Sequence, residues 1–300
     1  MMLIAGTIPM RDLPLVTGGV RREGDNLVIA GYHVPCTQGT GAMISATLAT
    51  AGYLKLAPPQ VVVAGDIGEG GGSWQIYDYL IQNVARLSPE VLALHYCLPD
   101  MAMMRRLCQA VGECRPRPFL IADAGSMYAA KAAGLAGEFA VFTPDAAELA
   151  FLADREATHP AYISRHLFCA DITRVPGLII AAYRQRSAAR LLLVKGATDH
   201  IARDGEILAT ITEPDVPELE AIGGTGDTIT GLLTAFVACG LELPQAAIIA
   251  ARVNRTAGEL ARVTVASRVK QIISQFPAVF KENLCAWSGV CSMKGGSYHE

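Results

Sequence analysis

Much that would readily assign a function is missing from this sequence. None of its eight cysteines forms a Cys-x-x-Cys pair, and no His/Cys spacing suits zinc, so neither a redox dithiol nor a structural metal cluster is expected. No stretch combines clustered Lys and Arg with interleaved aromatics. Aromatics are only 6% of the 300 residues and the formal net charge is −3, which argues against a nucleic-acid partner. Apolar runs stay below about ten residues, short of the roughly twenty that cross a bilayer, so no membrane span is expected. The weakly apolar amino terminus has no basic segment before Arg11. No secretory leader is therefore expected, and the cytoplasm is the expected compartment. No Ser-, Pro- or Gly-rich linker, repeat or low-complexity segment divides the chain. One domain over residues 1–300 is expected, with its core at 26–280 and a tail at 281–300.

What is present describes a globular enzyme-sized chain. Its 51% hydrophobic and 18% charged content suits a core that buries about three quarters of the unfolded surface. The cysteines mostly sit in apolar contexts and are expected to be buried, reduced thiols. Cys285 and Cys291, near Trp287 in the tail, are the exceptions: exposed thiols, or part of a tail packed on a neighbouring subunit in a homo-oligomer. Short apolar runs predict strands at Asn26–Ala30, Gln60–Ala64, Val91–His95, Phe119–Ala122, Ala140–Thr143 and Leu191–Lys195. Helical patterns alternate with them, from Gly41–Leu56 to Val265–Ser274, which is the sequence form of βα units and a parallel sheet. Residues 201–209, centred on Asp204-Gly205, predict an antiparallel edge hairpin. The expected fold class is a three-layer α/β/α sandwich whose mostly parallel central sheet collects its site at the carboxyl ends of the strands.

One run carries chemistry. Gly223-Gly224-Thr225-Gly226-Asp227 ends an irregular segment and opens the apolar helix that follows. Glycines let the backbone adopt positive φ and bring N–H groups close to a ligand, and the helix amino terminus adds roughly half a positive charge. That is a phosphate cradle, with Asp227 placed to take a proton from a hydroxyl attacking the phosphorus. The alternative is a plain glycine turn with Asp227 as a helix cap worth about 1 kcal/mol. Elsewhere, Asp145 and Glu148 share one face at a helix start, where they could order a hydrated Mg²⁺ or simply cap the helix. Lys195 ends an apolar strand before Gly196, facing either a nucleotide or solvent. The loop with Asp66, Glu69 and glycines 68, 70, 71 and 72 is either a substrate lid or a plain connection. His33 and His95 both end strands and suit pocket-lining or hydrogen-bonded roles better than metal ligation.

With these residues in hand, the sequence resembles the ribokinase-like superfamily, and within it the ADP- or ATP-dependent NAD(P)H-hydrate dehydratases, carbohydrate kinase-like enzymes whose Gly-Gly-Thr-Gly-Asp run holds an anion hole and a base. Leu27–Gly31 followed by Thr40-Gly41-Ala42 resembles the family's opening strand, loop and first helix. Ile121-Ala122-Asp123-Ala124 resembles its Asp-Ala-Asp-Ala strand end, with Ala122 replacing the first acid. Phe142-Thr143-Pro144-Asp145-Ala146-Ala147-Glu148 resembles its Thr-Pro-x-x-x-Glu segment, Leu193–Ala197 the strand leading to the nucleotide, and Asn254–Leu260 with Val265–Ser267 the closing helices. The resemblance implies Asp227 as base, Gly223, Gly224, Thr225 and Gly226 as the anion hole, and Lys195, Gly196 and Asn254 at the nucleotide. It also implies Glu148 and Asp145 at a water-bridged Mg²⁺, and Thr40, Gly41, Asp123 and His33 on the substrate side. Residues 94–100 and 32–36 depart from the family's glycine-rich loops. Three functions follow as expectations: a lyase that dehydrates a hydrated nicotinamide nucleotide, a kinase (transferase) acting on a sugar or hydroxymethyl heterocycle, or a nucleotide-binding homologue without turnover.

Overall fold

Alternate residues of a strand face opposite ways, and in the central strands of this chain both sets are buried. The computed structural model describes residues 1–159, 161–162 and 174–289. Six strands run parallel in its middle: β1 (Met2–Ile8), β5 (Gln60–Gly65), β6 (Val91–His95), β7 (Phe119–Ala122), β8 (Val141–Phe142) and β9 (Leu191–Val194). Ile4, Val61, Val63, Ala93, Leu191 and Leu193 feed the core on one face. Their neighbours Leu3, Val62, Ala64, Leu92, Leu94, Leu192 and Val194 feed the core on the other. A strand with two dry faces needs helices on both, and the chain supplies them.

One face is covered by α1 (Gly39–Tyr53), α7 (Thr225–Ala238), α8 (Leu243–Leu260), α9 (Val269–Ile273) and α10 (Phe276–Val279). The other is covered by α2 (Gly71–Leu87), α3 (Met101–Gly112), α4 (Gly125–Ala132), α5 (Ala146–Ala153) and α6 (Val175–Arg184). Helices α1 and α7 approach closely because both present small residues. A Cβ on Gly231 would stand 2.4 Å from the Met43 carbonyl oxygen, and the Thr47 hydroxyl donates at 3.0 Å to both the Met43 and Gly231 carbonyls. Other buried hydroxyls of α1, Ser45 and Thr50, donate to carbonyls one turn back, so this nearly all-buried helix carries its polar groups without loss.

Antiparallel strands finish both edges of the eleven-stranded sheet found among the described residues, whose order is β11-β10-β9-β8-β7-β6-β1-β5-β2-β3-β4. Strands β10 (Asp199–Arg203) and β11 (Glu206–Ile211) form the expected hairpin, turning at Asp204 and Gly205 with φ of 55° and 85°. Strands β2 (Val16–Glu23), β3 (Asn26–Ile29) and β4 (Tyr32–Pro35) form a second edge that was not expected. Residues 26–30 thus form the middle strand of this antiparallel edge and not the opening parallel one: Ala30 and Gly31, at φ 47° and 88°, close a tight hairpin to β4 and leave no crossover. The true opening strand is β1, in the centre of the sheet. The core also extends past residue 280, since a π-helical turn (Phe280–Leu284) buries Phe280 and Leu284 and leads into α11 (Cys285–Ser288). The Gln245 amide donates to the Trp287 and Ser288 carbonyls, so this part of the tail packs on its own chain. Cys36, Cys97, Cys108, Cys114 and Cys239 are free thiols as expected, whereas Cys285 is disulfide-bonded. Cys169 and Cys291 lie outside the described residues. Among the described residues, no helix is long and apolar enough to cross a membrane.

Candidate active site

The carboxyl ends of β6, β7 and β9 and the amino terminus of α7 meet at one point. Gly224 caps α7 at φ 94°, in the left-handed region, and a Cβ there would lie 3.1 Å from both Gln38 Cα and the Thr37 carbonyl oxygen. Both backbone conformation and close approach therefore require glycine. The Lys195 stem lies alongside Gly226, its Cδ, Cε and Nζ 3.6 Å from where a Cβ would stand. The first-turn N–H groups of a helix have no intrahelical partner, so this end of α7 presents donors and partial positive charge. Asp227 sits in that turn with a side chain 12% exposed; its Oδ2 accepts the Gly39 N–H at 2.6 Å and its Oδ1 lies 3.1 Å from His95 Nε2.

Behind Asp227 lies a buried ionic cluster. Asp123 Oδ2 accepts from Lys195 Nζ at 2.8 Å and from the Thr230 hydroxyl at 2.6 Å, and its Oδ1 accepts the Ala124 N–H at 2.8 Å. Burial would raise the Asp123 pKa, but the charges and hydrogen bonds of Lys195 and His95 outweigh it and hold the carboxyl below its ordinary range. Burial would likewise lower Lys195, yet Asp123, Glu148 and Asp227 hold the ammonium well above its usual value. Two carboxylates thus face two cationic groups, if His95 is protonated, in a nearly neutral assembly. His95, Asp123 and Asp227 offer ligand atoms within 4.8 Å of one another, the spacing of a cation site. The Lys195 ammonium on Asp123 already fills that electrostatic role.

This cluster forms one wall of a cleft of about 780 Å³, which is also lined by Tyr96, Asp145, Glu148, Gly196, Gly224, Thr225, Gly226 and Asn254. The family described as NAD(P)H-hydrate dehydratase matches residues 91–275, more than half of the chain and the whole of this wall. The chain belongs to that enzyme family. The uncharacterized protein MJ1337 of Methanocaldococcus jannaschii is 37% identical over 242 residues, which are 81% of this chain and 100% of that one. The ADP-dependent (S)-NAD(P)H-hydrate dehydratase of Xanthomonas campestris pv. campestris is 27% identical over 281 residues, 91% of this chain and 90% of its own. A ribokinase-like superfamily protein from Enterococcus faecalis superposes with a TM-score of 0.51 at 17% identity, covering 94% of this chain and 86% of that one. That likeness establishes the fold, a ribokinase-like α/β/α sandwich.

Within this dehydratase-family framework the expected site residues fall into two groups. Gly224, Thr225, Gly226, Asp227, Lys195 and Asp123 converge on the cleft, Thr40 joins them through its hydroxyl, 3.1 Å from His95 Nδ1, and Gly223 is exposed just outside the cleft lining. Others have structural duties. Gly41 packs against the Pro35 carbonyl, where a Cβ would lie 2.2 Å away. Asn254 accepts the Thr228 hydroxyl at 2.7 Å while still lining the cleft. Asp145 and Glu148 form a reciprocal capping box on α5, and Glu148 Oε1 also accepts the Tyr128 hydroxyl at 2.7 Å. The cap is therefore real, yet each carboxylate oxygen has a second lone pair. Burial first, then the negative charge of Asp123 and Asp145, pushes the Glu148 carboxyl up to about 8. A cation there would relieve that charge crowding, so the pair fits Mg²⁺ held through water. His33 does not join the site: it is exposed on edge strand β4 and does not line the cleft.

Three participants escaped the sequence reading. Arg255 is buried, and its guanidinium reaches Asp199 at 2.7 Å, the Gly196 and Ala197 carbonyls at 2.9 and 2.7 Å, and the Thr212 carbonyl at 3.2 Å. Gly39 supplies the N–H to Asp227 from the start of α1. Tyr96 follows His95 at φ 54°, held by the Thr7 hydroxyl on its carbonyl at 2.7 Å, and keeps its ring half exposed at the cleft. A bulky residue held at positive φ beside a site is the one signal among these, and it shows only in the structure. The 66–73 loop closes on itself, since Asp66 accepts the N–H groups of Gly68, Glu69, Gly70 and Ser73, each at 3.0 Å; it is a tied connection into α2.

Proposed function

We propose that this protein restores hydrated NADH or NADPH by dehydration coupled to ADP or ATP, with Asp227 as the base. The observation that carries this reading is the seat of Asp227: an almost buried carboxylate aimed by the Gly39 N–H and His95 at the open end of α7, on the edge of a cleft large enough for a nucleotide. Asp227 takes the proton of the substrate hydroxyl while its oxygen bonds to the terminal phosphorus of the nucleotide. The bond from that phosphorus to its bridging oxygen breaks, and the pair leaves on the shortened nucleotide. The carbon–oxygen bond of the ester then breaks with its pair on the departing phosphate, pushed by the ring nitrogen. Loss of a ring proton restores the double bond.

The chain's own groups support each demand. N–H groups of Gly224 and Gly226 and the α7 dipole stabilise charge developing on the transferring phosphoryl oxygens. Lys195, seated on Asp123, keeps a positive charge at the same edge. Asn254 and Gly196 border the space for the nucleotide. Asp145 and Glu148 would hold Mg²⁺ through water, and the ion would supply charge neutralisation at the phosphates.

Purified protein incubated with hydrated NADH, Mg²⁺ and either ADP or ATP should regain the nicotinamide absorbance near ~340 nm. No recovery with either nucleotide rejects the proposal. Accumulation of a stable phosphate ester from a panel of alcohols would mark a kinase instead, and nucleotide binding without turnover of any of these would mark a binding homologue.

A further inference from the structure

His95 ends β6 in the middle of the parallel sheet, and packing alone does not explain it. Its side chain is fully buried. Nδ1 lies 3.1 Å from the Thr40 hydroxyl, which can donate to a neutral ring or accept from a protonated one. Nε2 lies 3.1 Å from Asp227 Oδ1 and 3.6 Å from Asp123 Oδ2 but makes a well-directed hydrogen bond to neither. The backbone fixes the ring in this place. A Cβ on Gly6 of β1 would stand 2.3 Å from the His95 carbonyl oxygen and 2.7 Å from Thr40 Oγ1, so the central strand is cut back to admit the pair. An apolar side chain would fill the space with a smaller desolvation penalty. An imidazole wedged between two carboxylates points to function.

We infer that His95 is a positioning residue for the base: braced by Thr40 on one side, its ring holds the Asp227 carboxylate aimed at the cleft until the substrate hydroxyl gives up its proton. The inference rests on the reading of Asp227 as that base. The charged and titratable groups around the ring are Asp227 on α7, Asp123 after β7, Lys195 after β9 on the far side of Asp123, and, farther out, the Tyr96 phenol and Glu148 on α5. Burial lowers the imidazole pKa, but the carboxylates of Asp123 and Asp227 beside Nε2 overcome it and raise it to about 9. The positive charge is therefore present below that pH and lost as pH rises through it. Asp227 then loses the counter-charge beside it, and turnover declines on the alkaline side.

Two measurements decide the matter. In the substrate-free protein, the His95 ring followed by NMR should titrate near pH 9, and Asp227→Asn should lower the midpoint. A midpoint at or below the ordinary histidine value of about 6.5 overturns the inference, whatever the protein catalyses. In turnover, His95→Gln places an amide N–H near the Nε2 position without a titrating ring. It should lower kcat by about 10²-fold with KM little changed, and should abolish the alkaline limb near pH 9. Should that variant not fold, Thr40→Val, which removes the Nδ1 partner, should shift the limb to lower pH. A limb unmoved in the folded variants sinks the inference. Absence of turnover in the unaltered protein counts against the proposed reaction instead, and leaves the NMR titration to judge His95.

Discussion

Two buried ionic clusters border the same cleft, and they differ in how completely they are satisfied. Arg255 and Asp199 form the first. Every arm of the guanidinium is used, with Nε on Asp199 and the two terminal nitrogens on carbonyls of Gly196, Ala197, Thr212 and Pro214. Burial still outweighs Arg255 and raises the Asp199 carboxyl, so the pair is not a net source of electrostatic stability. It works as a staple that ties the turn after β9 to the segment after β11. Asp123, Lys195, His95 and Asp227 form the second cluster, and there a buried ring nitrogen remains without a directed partner while Asp227 keeps part of its surface in the cleft. A saturated cluster holds backbone. An unsaturated one has capacity left for a proton and a ligand.

That contrast can be broken by mutation. Asp227→Asn removes the base without changing shape, and activity should fall about 10³- to 10⁴-fold while thermal unfolding moves little. Activity retained within tenfold would place the chemistry elsewhere. Arg255→Ala should act in the opposite way, destabilising the fold by about 3–5 kcal/mol by leaving Asp199 buried and unpaired, as read by denaturant unfolding. Arg255→Lys should restore little, because one ammonium cannot span the same four carbonyls and a carboxylate. Lys195→Met lies between these. Asp123 keeps Thr230, Ala124 and His95, so a loss of about 1–3 kcal/mol in stability is expected. The larger sign should be weaker nucleotide binding by calorimetry. Stability loss equal to that of Arg255→Ala with unchanged binding would erase the distinction between the clusters.

How much of this was legible beforehand follows from where each signal lives. Strands β5, β6, β7 and β9 were placed to within a residue or two because runs such as Val61-Val62-Val63-Ala64 are apolar on both faces. The run at 2–8 is apolar but interrupted by Gly6 and Thr7, and at a chain terminus it reads as a weak leader-like stretch and not as the strand at the sheet centre. Gly18-Gly19 and the charged Arg21-Arg22-Glu23 hid β2, so the second antiparallel edge went unseen. Asp227 was readable because glycines ahead of an apolar helix are a local pattern. The His95, Asp123 and Asp227 assembly was not, since strand order alone brings residues 95, 123 and 227 together. Arg255 was visible only as part of a matching segment, because its partners are mostly backbone carbonyls, which leave no trace in the amino-acid alphabet.

The smallest expected effect is the most informative about the metal. Glu148 has an ordinary pKa of 4.5 and is raised to about 8 in the fold. A carboxyl raised on folding contributes stability that is complete below its unfolded value and is lost as pH rises through the folded one. His95, raised from 6.5 to about 9, contributes in the same direction over a higher window. Asp123, held below 3.8, does the reverse and matters only on the acid side. The melting temperature should therefore decline from pH 5 to pH 9. Glu148→Gln keeps the capping box, which accepts Gln at that position, but carries no charge to expel. Its decline should lack the Glu148 contribution and keep only that of His95 and Asp199, so that the variant melts close to the unaltered protein at pH 5 and above it at pH 9. Parallel curves would show that Glu148 is not charge-crowded, and the case for a hydrated cation beside it would lose its physical basis. If the curves do diverge, Mg²⁺ added with nucleotide should flatten the unaltered protein toward the variant, because a dication stabilises the ionised carboxylate that the bare fold resists.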